Sequence, residues 1–207
     1  MFITFEGPEG SGKTTQSMML GEALAGRDHT VMWTREPGGT SIAEQIREIL
    51  HRPENQEMAP IAEILLYSAS RAQHTVEKIR PALADGQIVL CDRYYDSTLA
   101  YQGYGRGLDL EMLRTITRFA TGGLIPNLTL YFEIDPEEGL QRRQRDRAAE
   151  WNRLDGETLA FHRRVHEGYH RLIDAEPGRW VVLDAAREVE VVQAEVLQIV
   201  LARLDSR

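Results

Sequence analysis

The chain has 207 residues, 42% of them hydrophobic and 27% charged. That is enough to bury one sizeable core, and it excludes a disordered, collagen-like or coiled-coil chain. Thirty-two acids against twenty-four bases give a formal net charge of −8, which argues against general nucleic-acid binding and against attachment to an anionic membrane, both of which need a basic face. From the N-terminus, Phe2–Glu6 reads as a short buried strand followed at once by glycines, and 14–25 as a helix with Met18, Met19, Ala23 and Leu24 apolar. Residues 30–34 read as a second strand. Ile42, Ile46, Ile49 and Leu50 recur at helical spacing over 41–50. Residues 60–84 predict a long helix, opened by Pro60 and bent near Pro81. The continuous apolar run 88–92 ends in a carboxylate, as a buried parallel strand does. Helices are expected near 94–103 and 109–121, a strand over 128–134, helices over 136–147 and 157–175, a strand over 180–183 and a closing helix over 188–204.

Strand and helix alternate throughout, without repeat or linker, so the expected fold class is α/β: one domain over 1–207, a five-stranded parallel sheet with helices on both faces. Ligands of such sheets bind outside the carboxyl ends of the strands. The one cysteine, Cys91, excludes an internal disulfide and a Cys-based metal site and suits a reducing cytoplasm. The N-terminus is too short and too soon acidic for a signal peptide, and no run approaches the ~20 apolar residues of a transmembrane helix.

Gly7-Pro8-Glu9-Gly10-Ser11-Gly12-Lys13-Thr14 fits G-x-x-x-x-G-K-[ST]. The pattern follows a strand and opens a helix, as its mechanism requires. Glycines let backbone N–H groups converge on phosphate oxygens, and the helix N-terminus adds partial positive charge. Lys13 reaches the β- and γ-phosphates and the Thr14 hydroxyl ligates Mg²⁺; with Thr15 beside them, these residues form the expected ATP site of a P-loop fold. Asp92 ends the third strand, where a carboxylate beside a P-loop sits near Mg²⁺, although it would also serve as a helix N-cap. Arg93 then projects into the same cleft, where its fork suits a second phosphate. Pro37 and two glycines fix a turn after the second strand. Its backbone could approach a ligand, or it could be a plain junction.

Nearly the whole chain resembles bacterial thymidylate kinases, of the nucleoside-monophosphate-kinase fold. The resemblance rests on the P-loop with Glu9 inside it, on Arg35-Glu36-Pro37-Gly38-Gly39-Thr40, on 67–71, on the run from Asp92 to Gly103, and on the arginine-rich stretch 142–153. It implies phosphorylation of dTMP to dTDP by ATP with Mg²⁺, in a cytoplasmic homodimer. It also implies that Glu9 lies near the sugar 3′-hydroxyl, that Arg93 holds the dTMP phosphate, that Tyr67 stacks on thymine and that Arg71 contacts the base. Thr98, Tyr101 and Gln102 match positions lining the base and sugar pocket, with Tyr101 crowding a ribose 2′-hydroxyl; Glu36, Pro37 and Ser97 join the same set. A cis Glu36–Pro37 bond is a further expectation. Residues 142–154 match the lid, with Arg145, Arg147 and Arg153 as candidates for charge stabilisation, Arg153 first. Eukaryotic-type members carry an arginine at the position of Gly10, so here the catalytic arginine is expected from the lid. For dimerisation Ile61, Ile64 and Leu65 are candidates, although the same residues could pack on the sheet.

Overall fold

The computed structural model describes residues 1–145 and 152–205. Strands β1 (Phe2–Glu6), β2 (Val31–Arg35), β3 (Ile88–Asp92), β4 (Leu128–Glu133) and β5 (Trp180–Asp184) form one parallel sheet in the order β2-β3-β1-β4-β5. The chain leaves β1 toward β2 and leaves β3 toward β4, so the ends of β1 and β3 meet at the point where the winding reverses. That crevice is where open parallel sheets bind ligands. The register sets Phe5 beside Asp92, and Arg93 N donates to Phe5 O across it.

The faces of the sheet follow strand alternation. Ile3, Phe5, Leu90, Leu130 and Phe132 pack on one face with Leu20 and Leu24 of α1 (Lys13–Ala25) and Val192, Val196 and Val200 of α9 (Val189–Asp205). On the other, Phe2, Val89 and Cys91 meet Ile79 and Ala82, while Tyr131 meets Tyr101, Tyr169 and Leu172. That second face is covered by α2 (Ser41–His51), α3 (Pro60–His74), α6 (Leu110–Thr121) and α8 (Leu159–Ala175).

Two departures from the expected helices share one form. The long helix is interrupted just before Pro81. A π-helical turn over Thr75–Ile79, in which Arg80 N reaches back to Thr75 O, joins α3 to α4 (Arg80–Ala84). This wider turn precedes the proline that cannot donate. The helix after β3 is α-helical only over Tyr95–Thr98 (α5) and continues as a π-helix over Leu99–Gly105. Helix α7 (Pro136–Arg145) follows β4. Of the dimer candidates, Ile64 is buried in the core, while Ile61 and Leu65 are exposed.

Candidate active site

A cavity of about 410 Å³ opens at the carboxyl ends of β1, β2 and β3. It brings together Glu9, Gly10, Gly12, Lys13, Thr14, Thr15, Glu36, Pro37, Tyr67, Arg71, Asp92, Arg93, Ser97, Thr98, Tyr101 and Gln102, nearly the whole expected set.

The P-loop end is built for anions. Gly12 caps α1 at φ 81° with no side-chain cap, which leaves the first-turn N–H groups for a ligand. Gly10 has φ 69°, and a Cβ there would lie 2.0 Å from Gly139 O, at the start of α7; a Cβ on Gly139 would lie 2.3 Å from Glu9 O. The P-loop tip and the first turn of α7 thus touch backbone to backbone. Lys13 Nζ donates to Pro8 O (2.7 Å) and Ser11 Oγ (3.2 Å). Its burial first, and then the Arg93 guanidinium, push its pKa down to about 8. Gly7, Pro8 and Ser11 lie outside the cavity wall; Gly7 and Pro8 hold Arg93 and Lys13 through their carbonyls, and Ser11 holds Lys13 through its hydroxyl. The Thr14 hydroxyl donates to Asp92 Oδ2. These two hard oxygen donors, side by side at the root of the phosphate cradle, fit Mg²⁺ chemistry.

Arg93 is the hub of the opposite wall. It holds φ 68°, rare for a side chain with a Cβ. Its guanidinium donates to Glu9 Oε1 (2.8 Å), Gly7 O (3.1 Å), Ser97 Oγ (3.2 Å), Tyr101 OH (3.1 Å) and Tyr169 OH (3.3 Å), and lies 5.0 Å from the Tyr101 ring centre. Burial alone would raise the Glu9 carboxyl, but Arg93 and then Lys13 hold it well below the usual carboxylate range. Tyr101 OH donates to the same Glu9 oxygen at 2.8 Å. Beneath Arg93 lies Glu6, fully buried. It accepts from Tyr94 N (2.8 Å), Ser97 Oγ (2.5 Å) and Tyr169 OH (2.8 Å). Burial, reinforced by Asp96, pushes its pKa up to about 7.

On the β2 side, Arg71 donates to Glu36 Oε2 (2.7 Å), Thr98 Oγ1 (3.0 Å) and Tyr94 O (3.3 Å). Glu36 Oε1 meets His74 Nδ1 at 3.1 Å, so Glu36 serves Arg71 and His74 as a buried anchor. The Glu36–Pro37 bond is cis. Gln102 donates to Glu63 Oε1 at 2.8 Å.

The lid arginines divide differently from expectation. Arg153 does not enter the cleft: it is 4% exposed, ion-paired with Glu63, and its Nε donates to Leu50 O at 3.2 Å. Glu63 is fully buried and draws in cations, binding Arg106 through both oxygens as well. A guanidinium so desolvated is stabilised by that carboxylate and not by solvent. Arg145 is exposed outside the cavity wall, and Arg147 lies outside the described residues. Arg142 and Arg143 line the cleft instead. Arg142 donates to Ala185 O and Glu138, and Arg143 pairs with Asp155 at 3.2 Å.

The cavity also contains Arg35, Arg47 and His51, which sequence reasoning did not assign to the site. Arg35 and Arg47 both donate to Pro37 O, at 2.9 and 3.0 Å. Burial, with Arg47 next, pushes the His51 pKa down to about 3, so it is neutral. Spacing on the 41–51 helix would have put Arg47 and His51 on one face, four residues apart.

The thymidylate kinase family model matches residues 5–196. A thymidylate kinase of Bacillus licheniformis is 50% identical, with 97% of this chain aligned to 94% of that protein. One of Roseiflexus sp. (strain RS-1) is 53% identical over 97% and 93% of the two chains. A crystal structure of thymidylate kinase from Ehrlichia chaffeensis superposes with a TM-score of 0.79 at 33% identity, covering 97% of this chain and 98% of that one.

Proposed function

The chain belongs to the thymidylate kinase family and transfers a phosphoryl group from ATP to dTMP, giving dTDP; from that premise we propose how its residues divide the work. ATP phosphates lie on the P-loop, Gly7 to Thr15, with Lys13 on the β- and γ-phosphates. Thr14 and Asp92 hold Mg²⁺, which when bound screens the phosphate oxygens. The dTMP phosphate lies on Arg93. Tyr67 stacks on thymine, Arg71 reads the base edge, and Thr98, Ser97, Gln102 and Pro37 close the pocket. Glu9 accepts from the sugar hydroxyl, and Tyr101 crowds the 2′ position.

The observation that carries this reading is the Arg93 guanidinium, held by four partners besides Glu9 at the reversal point of the sheet, facing Lys13. The acceptor is already an anion, so no strong base is needed. The task is to bring two anions in line and screen them. Lys13 and Arg93 do so from fixed positions, and Arg142 and Arg143 border the space between. Glu36 and Glu6 act as positioning residues, the first through Arg71 and the second through Tyr169 and Ser97.

Residues 1–207 act as one kinase domain with the lid over 142–154. The protein works in the cytoplasm; among the described residues no helix is long and apolar enough to cross a membrane. A homodimer is supported by the exposed Ile42, Ile49, Ile61, Leu65 and Phe119 on α2, α3 and α6, three helices in which α3 contacts both others. The test is coupled ADP release with dTMP, UMP, CMP, AMP and GMP as acceptors, for the parent and for Arg93→Ala. The variant is expected to lose about 10²–10³-fold in kcat/KM for dTMP. Parental kcat/KM in that variant would refute the phosphate assignment.

A further inference from the structure

At the carboxyl end of β4, on the far side of Tyr169 from Arg93, three ligating side chains converge outside the nucleotide cleft. Glu133 ends β4, and His166 and His170 lie one turn apart on α8. His166 Nε2 is 2.5 Å from Glu133 Oε1, and His170 Nε2 is 3.1 Å from Glu133 Oε2. One candidate donor atom from each residue lies within 4.8 Å of the other two. None of the three lines the substrate cavity.

We propose that Glu133, His166 and His170 form a binding site for a divalent d-block cation of the Zn²⁺ type, separate from the Mg²⁺ position at Thr14 and Asp92. Two imidazoles and one carboxylate are the donor set of a three-ligand zinc site with an open fourth position. Two histidines at i and i+4 present their rings on one helix face. In a tetrahedral site, donors at 2.0–2.1 Å from the metal stand about 3.3 Å apart. The spacings of 2.5 and 3.1 Å run to the two different oxygens of Glu133, and one donor from each residue already lies within 4.8 Å of the others, so side-chain adjustment has to close the set to that value. Glu133 Oε2 is shielded from solvent and faces His170 Nε2 at 3.1 Å without meeting hydrogen-bond geometry, so this oxygen is already turned toward the cluster. The backbone beneath is fixed. Glu133 pairs with Asp184 in the sheet, and its carbonyl accepts from Ala185 N at 2.9 Å. The edge of the His170 ring is set against Tyr131, with ring centres 5.9 Å apart. His170 is half-exposed, which gives the ion an entry path. Nitrogen donors select this class of ion over Mg²⁺, which prefers oxygen. Bound there, the ion would tie α8 to β4 on either side of Tyr169.

The test uses the full chain without an affinity tag, stripped with chelator and free of ATP and Mg²⁺. Zn²⁺ is titrated by calorimetry, and Co²⁺ is followed through its visible bands. One equivalent of Zn²⁺ is expected, with the intense Co²⁺ spectrum of a four-coordinate site and a raised melting temperature. His166→Ala and His170→Gln should each weaken binding by about tenfold or more, while Asp92→Asn leaves it unchanged. His170→Gln should melt like the metal-free parent, which separates lost ligation from lost folding. Absence of binding below about 1 mM, binding that survives His170→Gln, or binding lost only in Asp92→Asn would each overturn the proposal.

Discussion

Replacing Arg153 by alanine separates a structural role from a catalytic one. The side chain is 4% exposed and paired with Glu63, which is itself fully buried. Removing one partner of a buried ion pair costs about 3–5 kcal/mol when the other is left alone. Glu63 would not be alone: Arg106 holds both of its oxygens, at 2.7 and 3.0 Å, and Gln102 adds a third bond at 2.8 Å. The expected loss is therefore smaller, about 2–3 kcal/mol, part of it from the Leu50 carbonyl that loses its donor. At about 2–4 °C per kcal/mol for a chain of this size, the melting temperature should fall by roughly 4–12 °C. Urea unfolding would read the same loss as a lower midpoint at unchanged slope. Turnover measured well below the melting range should stay within about threefold of the parent. A fall of about 100-fold in kcat with an unchanged melting temperature would refute the reasoning, because it would place about 2.7 kcal/mol of transition-state stabilisation on a residue assigned to the fold.

Gly10→Ala and Gly12→Ala should differ. Both carry positive φ, but a Cβ at Gly10 meets Gly139 O at 2.0 Å while one at Gly12 meets nothing within 4 Å among the described residues. We expect about 2–4 kcal/mol and a raised KM for ATP from the first, and about 1–2 kcal/mol from the second, by chemical denaturation; equal losses would show that the contact with α7 is immaterial. Glu6 gives a pH prediction: its folded pKa of about 7 lies above the ordinary 4.5. Its contribution to stability is present below pH 4.5 and is lost as pH rises through 7, a change of up to about 3 kcal/mol. Glu6→Gln should flatten that part of the stability profile, and an unaltered slope would contradict the assignment. ATP binding near pH 8 should take up protons, because phosphate charge restores the proton to Lys13, whose pKa burial has pushed down to about 8. Calorimetry in two buffers of different ionisation enthalpy measures this, and identical heats would argue against it.

What could be read from the sequence was local. The P-loop needs eight consecutive residues, and Asp92-Arg93 needs only an apolar strand before it; both arrived where strand ends meet. The five strands were legible because each run is short, largely apolar and bounded by turn residues, while their order in the sheet came only from the structure. The misread features depend on partners far along the chain. Arg153 is ninety positions from Glu63, the carboxylate that captures it, and nothing near 153 announces that pairing. Glu63 is the acid in the first turn of α3, a position that carries no sign of burial in the sequence. The π-helical turns escaped for another reason. A helical pattern assumes 3.6 residues per turn, and a widened turn alters which side chains share a face without altering composition. Tyr101 and Gln102 lie in such a turn, so their arrival in the cleft is not a consequence of simple helical spacing.

The touching glycines at 10 and 139 give phosphate cradle and lid a common datum. Arg142 and Arg143 stand three and four residues beyond Gly139, about 4.5–6 Å farther along α7 at 1.5 Å per residue. Their reach is therefore surveyed from the same point as the donor phosphates, not from the acceptor wall. A side chain at either glycine would move the survey mark itself. An arginine at position 10 would need α7 to back away, so this chain is committed by its backbone to supplying cationic groups from the helix and not from the loop.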